Sequence, residues 1–437
     1  MFEPIRTSSV IAEVKLDESM ISYNTLKNLI ILLLNLTTFS SMAQDSEGKF
    51  IKDAKTGCTV WFKHYFEEDS ITWTGNCKDG FAEGKGTMTG FTKGKQSAKY
   101  IGEMHQGKPH GKGVFTFWGD RKLEGNFSNG EPLFLNQDLL KQLHRNIISN
   151  NDTNNTYDGD NNAKNLFYDI LLPKEKINGV VILMPGTWET TEHLLSSMST
   201  FCGLAHKNNL AVMALSINQR LTLNESILSL MNNMIQDAIK KYDLPKNKFV
   251  MGGWSMGGLF SLRYTELAYQ DSSKTAIIPK AVFSCDGPCD LEHLYNNFQR
   301  KLNKNPGQNE PAYGIAEMEK YCNGNPQTAI DKYNYYSCFT YSSNVGGNAQ
   351  YLIDVPVRIY GDVDPIWWMQ NRHVDMYDLN ALDQTAMIQL LNEMGNPKAE
   401  FINAYQKGYR LEGNRHPHSW SIIEPVDCVN WILEALK

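Results

Sequence analysis

The chain has 437 residues, with 41% hydrophobic and 21% charged side chains. Such a chain has room for two or three domains of about 150 residues each, and this mix excludes global disorder. With 42 basic against 48 acidic side chains the net charge is −6. That excludes a generally basic nucleic-acid binder, because such proteins displace counterions with a positive surplus.

Residues 1–43 read as a signal-peptide region. Lys27 precedes a short apolar run, Leu29 to Leu36, which leads to Ser41-Met42-Ala43-Gln44. A basic residue, an apolar core and small residues before a cut make the pattern of a secretory signal. Cleavage is expected after Ala43, with Met20 as the real start. A membrane-spanning helix needs about 20 apolar residues, so no integral membrane segment is expected in the mature chain. The expected location is secreted or periplasmic. Eight cysteines fit an oxidising compartment. Cys58 with Cys77, and Cys322 with Cys338, are close enough in sequence to pair locally. Cys285 and Cys289 have no second pair or His cluster nearby, so no metal site is expected.

Residues 57–132 are rich in glycine, aromatic residues and lysine, and they repeat. Trp73-Thr74-Gly75 leads to Gly84-Lys85-Gly86, Tyr100-Ile101-Gly102 leads to Gly111-Lys112-Gly113, and Leu123-Glu124-Gly125 closes the series. Each unit reads as a β-hairpin with a glycine turn, where positive φ costs little. One hairpin cannot bury its own apolar face, so the units are expected to stack. This part resembles MORN repeats, most specifically in its second unit. The resemblance implies contact with a partner or a membrane, and the repeat-region partner is unknown from sequence. The basic surplus here is too small to argue for a lipid or nucleic-acid surface.

Residues 146–165 are polar and rich in asparagine, which predicts a linker. From residue 166 to 437 the pattern changes to strands alternating with helices. Strands are expected at Phe167–Leu172, Val180–Met184, Leu210–Ile217, Lys248–Gly252, Ala281–Ser284, Val357–Tyr360 and Phe401–Tyr405. Helices are expected at Thr222–Tyr242, from Met256 towards Tyr269, at Ala386–Met394 and at Pro425–Leu436. That alternation predicts an α/β fold with a mostly parallel sheet covered on both faces.

The strongest chemical signal is Gly252-Gly253-Trp254-Ser255-Met256-Gly257-Gly258, which follows a strand and opens a helix. A serine on such a turn is exposed for nucleophilic attack, and Gly253 and Gly257 let the backbones approach. A serine is a weak nucleophile without a base held by an acid. The strand at Val357–Tyr360 ends in Gly361-Asp362-Val363-Asp364, where Asp364 is the expected acid and Asp362 the alternative. Asn414-Arg415-His416-Pro417-His418-Ser419-Trp420 precedes the last helix, and His418 is the expected base. Pro417 biases His416 to an extended conformation, which suits a supporting role.

Residues 166–437 resemble the α/β-hydrolase superfamily, and Gly253-Trp254-Ser255-Met256-Gly257 is similar to its cutinase-like and dienelactone-hydrolase-like esterases. The resemblance implies an oxyanion hole from the backbone N–H groups of Thr187 and Met256. It also implies a cap-like insertion at about residues 287–350, which carries several tyrosines. Trp188, Trp254, Trp367 and Trp368 are candidate pocket residues. The reading is an exported serine hydrolase that cleaves carboxylic esters through an acyl-enzyme. It uses no cofactor and takes a small-molecule ester, not nucleic acid. The rival readings are a prolyl-oligopeptidase-like peptidase and a non-catalytic secreted protein that binds through its repeats.

Overall fold

The computed structural model describes residues 49–62, 70–116, 122–128, 130–133, 135, 137–149, 156–158, 166–411 and 413–437. The expected signal region, with Met20 and Ala43, lies outside them. The first sheet is built from β1 (Lys49–Lys52), β2 (Thr59–Phe62), β3 (Ser70–Trp73), β4 (Asn76–Lys78), β5 (Phe81–Thr92), β6 (Lys95–His105), β7 (Lys108–Thr116), β8 (Lys122–Ser128) and β9 (Glu131–Leu133). Its order is β1-β2-β5-β6-β7-β8-β9, with β3 and β4 also paired to β5. The repeat units therefore join edge to edge as one antiparallel meander, where the sequence predicts stacked hairpins.

The repeat glycines have a steric cause. Gly86, Gly102, Gly113 and Gly125 are direct register partners from strand to strand. Tyr100 is fully buried, and its ring lies across Gly102 and Gly113, where an added Cβ would come within 2.5 and 2.3 Å of the phenol oxygen. Trp73 covers Gly75 and Gly86 in the same way. The Tyr100 hydroxyl donates to the Glu103 carbonyl, so the buried polar tip is satisfied. Cys58 and Cys77 form a disulfide.

A short helix, α1 (Gln137–Leu140), leads into the second sheet. Its strands are β10 (Leu143–Ser149), β11 (Leu166–Leu171), β12 (Gly179–Met184), β13 (Leu210–Leu215), β14 (Phe249–Trp254), β15 (Ala281–Cys285), β16 (Val357–Gly361) and β17 (Ala399–Asn403). The order is β10-β11-β13-β12-β14-β15-β16-β17. β11 pairs antiparallel with both β10 and β13, and the pairs from β13 to β17 are parallel. Every residue of β12, β13 and β14 is buried, as a parallel sheet covered on both faces requires.

The domain boundary differs from the expected one. The sheet starts at Leu143, not at residue 166, because β10 is its edge strand. Arg145 on β10 makes a bidentate pair with Asp169 and reaches Glu192 at 2.8 Å. Thr156, Tyr157 and Asp158 are buried, and Asn218 exchanges hydrogen bonds with Asp158. The stretch expected as a linker thus contributes a strand and a buried segment. Its asparagine-rich composition hid them.

The helices are α2 (Thr191–Ser197), α3 (Ser199–Lys207), α4 (Glu225–Tyr242), α5 (Met256–Gln270), α6 (Leu291–Lys304), α7 (Asn309–Cys322), α8 (Pro326–Tyr336), α9 (Pro365–Arg372), α10 (Ala381–Glu393) and α11 (Pro425–Ala435). Val180, Ile182 and Met184 of β12 join the layer that holds α4 and α5. Val181 and Leu183 join the layer of α2, α3 and α11. α4 shows how local sequence sets an element. Asn224 caps it by accepting from the Ile227 N–H, and Asp243 ends it in the left-handed region at φ 50°. Its apolar stripe, Ile227, Met231, Met234, Ile235 and Ala238, is buried. Each large side chain so buried is worth about 1.5–3 kcal/mol.

Three helices, α6, α7 and α8, lie between β15 and β16, where the sequence predicts a cap-like insertion. Tyr333 is fully buried, so part of the insertion's aromatic content is core. Cys322 and Cys338 are both buried free thiols, in place of the expected disulfide. Cys338 turns instead to Cys289, whose carbonyl accepts from its backbone N–H and lies 3.5 Å from its sulfur.

Candidate active site

Ser255 occupies the turn between β14 and α5 at φ 56° and ψ −127°. A non-glycine residue there carries about 1–3 kcal/mol of strain and persists only where its surroundings over-determine it. The surroundings are tight. A Cβ on Gly253 would lie 2.1 Å from the Gly257 carbonyl oxygen, and one on Gly257 would lie 2.3 Å from that of Met184. The small residues flanking Ser255 are thus demanded by backbone contact, as the sequence reading expects.

The turn after β12 comes directly against the serine. A Cβ on Gly186 would lie 3.2 Å from Cβ of Ser255 and within 2.5 Å of the Trp254 ring. Thr187 follows Gly186 on that turn, and Met256 is the first residue of α5. Among the described residues, neither backbone N–H is engaged in a hydrogen bond. Two uncommitted N–H groups flanking a serine can hold a developing oxyanion.

His418 pairs with a carboxylate, but not the expected one. Its Nδ1 lies 2.6 Å from Oδ2 of Asp286. Asp286 follows β15 in the left-handed region at φ 48°. Its backbone carbonyl accepts from Asn380 Nδ2 at 2.8 Å, and its Oδ1 lies 3.4 Å from Gln384 Nε2. Gly287 packs behind Ser255: a Cβ there would lie 2.7 Å from the Ser255 carbonyl oxygen.

Asp364 is engaged elsewhere. It caps α9 by accepting from the Trp367 N–H and pairs with Arg415 at 3.0 Å. Asp362, the alternative, accepts from the Gln406 and Gly408 N–H groups and also pairs with Arg415. Both carboxylates fix the loop that precedes His416, and the carboxylate that His418 meets comes from one strand earlier, at the end of β15.

His416 and His418 meet different partners. The His416 ring packs against Trp367 and Trp368, with centroids 4.9 and 5.5 Å away. Burial, then the positive charge of Arg410, push its pKa down to about 2. It is neutral at ordinary pH. The His418 ring stacks on Trp254 at 4.8 Å, which sets it beside the residue preceding Ser255. No hydrogen bond joins His418 to the Ser255 hydroxyl. Such bonds are often long in a free enzyme and tighten with substrate.

Residues 73–94 and 100–117 match the MORN repeat family. No curated protein sequence matches the chain. Among solved structures, Mycobacterium tuberculosis MPT51 is 13% identical, covers 62% of this chain and 93% of its own, and superposes with a TM-score of 0.40. Carboxyl esterase 2 from the mycorrhizal fungus Tuber melanosporum is 16% identical, with 62% and 79% covered and a TM-score of 0.40. A bifunctional GH43-CE protein of Bacteroides eggerthii is 14% identical, with 85% and 54% covered and a TM-score of 0.45. The chain joins a region that matches MORN repeats to an α/β domain built on an eight-stranded, mostly parallel sheet.

Within the α/β domain the four candidate tryptophans have different surroundings. Trp254 is buried under the His418 ring, with the Arg410 guanidinium 4.9 Å from its own ring. Trp367 and Trp368 serve His416. Trp188 sits at φ 59° on the turn after β12 and packs against Tyr313 of α7 at 5.0 Å, which links that turn to the helices between β15 and β16. Burial also pushes the Cys285 thiol far above its usual range, which makes it inert. Among the described residues, no group of His, Cys, Asp or Glu is arranged to hold a metal ion.

Proposed function

We propose that the hydrolase domain is a serine hydrolase that cleaves carboxylic esters. The observation that carries this reading is the conjunction at one point of a strained serine turn, a close-packed turn with a free N–H, and a histidine–carboxylate pair. Ser255 attacks the acyl carbon while His418 takes its proton. Asp286 holds the imidazole through Nδ1 and stabilises the imidazolium that forms. The N–H groups of Thr187 and Met256 take the negative charge of the tetrahedral intermediate. His418 then gives the proton to the departing alcohol, which leaves an ester between the acyl group and Ser255. Water, deprotonated by His418, releases the acid and restores the serine.

The reading places the mature protein outside the cytoplasm, supported by the apolar run before Ala43 and by the Cys58–Cys77 disulfide. Two measurements test it. A fluorophosphonate probe should label Ser255 covalently, as mass spectrometry of the labelled peptide reports. A panel of chromogenic esters of graded acyl length should be turned over faster than dipeptide amides. An unlabelled serine refutes the catalytic reading, and preference for amides refutes the ester assignment.

A further inference from the structure

Glu189 is a carboxylate that no step above uses. It lies in the loop between the turn of Gly186 and α2, and its side chain is 1% exposed. Oε2 accepts from the Gly186 N–H at 3.0 Å and from the Trp420 indole N–H at 3.1 Å. Oε1 accepts from the same indole at 2.8 Å and lies 2.8 Å from Nδ1 of His193. Burying a carboxylate is costly unless it is well hydrogen-bonded, and charge-assisted bonds of this kind are about twice as strong as neutral ones.

The partners give the arrangement its meaning. Gly186 is the residue pressed against Ser255, and its successor Thr187 carries one oxyanion N–H. Trp420 stands two residues after His418. One carboxylate therefore joins the turn that receives the oxyanion to the loop that supplies the base. Asn218 fixes the same turn from another side: its Nδ2 donates to the Glu189 carbonyl at 2.9 Å, and its carbonyl accepts from the Trp188 N–H at 2.8 Å.

We propose that Glu189 is a positioning residue that sets the oxyanion turn through Gly186 and the base loop through Trp420, so that both meet Ser255 in register. The inference rests on the serine-hydrolase reading. The oxyanion exists only during the reaction, so a misplaced N–H weakens transition-state binding and leaves ground-state binding intact. The effect belongs in kcat rather than KM.

Three variants of the full-length protein test it on a chromogenic ester: Glu189→Leu, Glu189→Gln and Trp420→Phe. Leu keeps the volume and removes every acceptor. Gln keeps one oxygen for the Gly186 and Trp420 donors and turns its amide towards His193, which can accept in its other tautomer. Removing an oxyanion donor outright costs about 100- to 1000-fold, so displacing one in Glu189→Leu should lower kcat about tenfold or more. KM should stay within about twofold, and Glu189→Gln should recover a large share of the lost rate. Trp420→Phe removes the indole donor and should lower kcat about threefold, whether or not Glu189→Leu folds. A kcat unchanged in Trp420→Phe, or a loss in Glu189→Leu confined to KM, overturns the proposal. If the wild type takes a fluorophosphonate label and these variants behave so, only Glu189's role falls. A wild type that takes no label overturns the hydrolase reading and this inference with it.

Discussion

Nδ1 of His418 lies 2.6 Å from Oδ2 of Asp286, and this contact joins the end of β15 to the loop before α11 across 132 residues of sequence. The pair leaves Nε2 as the ring nitrogen available to a nucleophile. Asp286 is held by Asn380 and Gln384 from the α10 side, so its carboxylate has a fixed orientation towards His418.

The two aspartates should separate cleanly on substitution. Asp286→Asn should lower kcat by about 10⁴, because an amide favours the wrong imidazole tautomer. Asp364→Asn should leave most activity and cost about 1 kcal/mol or more of stability, since it weakens a helix cap and the contact to Arg415. Steady-state kinetics and thermal melts of both proteins check this, and a larger activity loss in Asp364→Asn contradicts the assignment.

Ser255→Ala should remove turnover by several orders of magnitude. It removes one oxygen from a turn whose geometry is fixed by its glycine neighbours, so the melting temperature should hold or rise. His418→Ala should lose nearly as much, and the double variant should be no worse than either single one. Additive losses would show that the two residues do not act as a unit.

His416 makes a pH prediction of defined sign. The unfolded chain takes up a proton on this residue below about pH 6.5, while burial and the neighbouring positive charges hold the folded value down to about 2. The native state therefore binds fewer protons in that window, and stability falls as pH falls through it, by at most about 1.4 kcal/mol per pH unit. In His416→Gln the drop in urea midpoint between pH 7 and pH 5 should shrink, with ester turnover still measurable. An unchanged drop would mean that His416 is free to protonate in the folded protein.

Most of the α/β domain is legible in the sequence because its strands are short apolar runs and its helices carry caps. The serine turn is legible too, since Gly253 and Gly257 answer a steric demand that any sequence with this backbone must meet. The acid is not. Gly361-Asp362-Val363-Asp364 and Asp286-Gly287 both end a strand in a carboxylate, and only the presence of Arg415 beside the first shows which is already neutralised. β10 is missed for a different reason: its partner contacts run through Arg145, a charged residue in a polar neighbourhood, and period-two alternation over Leu143–Ser149 is weak. Glu189 gives no local signal at all, because its partners lie 3, 4 and 231 positions away.

Arg145 supports a prediction about truncation. Asp169 and Glu192 are almost fully buried against it, and removing one partner of a buried ion pair costs about 3–5 kcal/mol. A chain that starts at Leu135 keeps α1 and β10 and should fold as a soluble domain. One that starts at Asn165 loses both and should be insoluble or inactive, and Arg145→Ala in the longer form should melt lower. Solubility and melting curves of the three proteins decide the matter, and a soluble, active form from Asn165 would show β10 to be dispensable.

β10 also means that the covalent order of the chain and the integrity of the sheet are separate matters. A protease that cut between Ser149 and Thr156 would sever the peptide, yet the N-terminal piece would still own the strand that pairs with β11 and the arginine that neutralises Asp169. The two fragments should therefore remain associated after the cut and comigrate until denatured, and halves split at that point should assemble by strand donation only when expressed together.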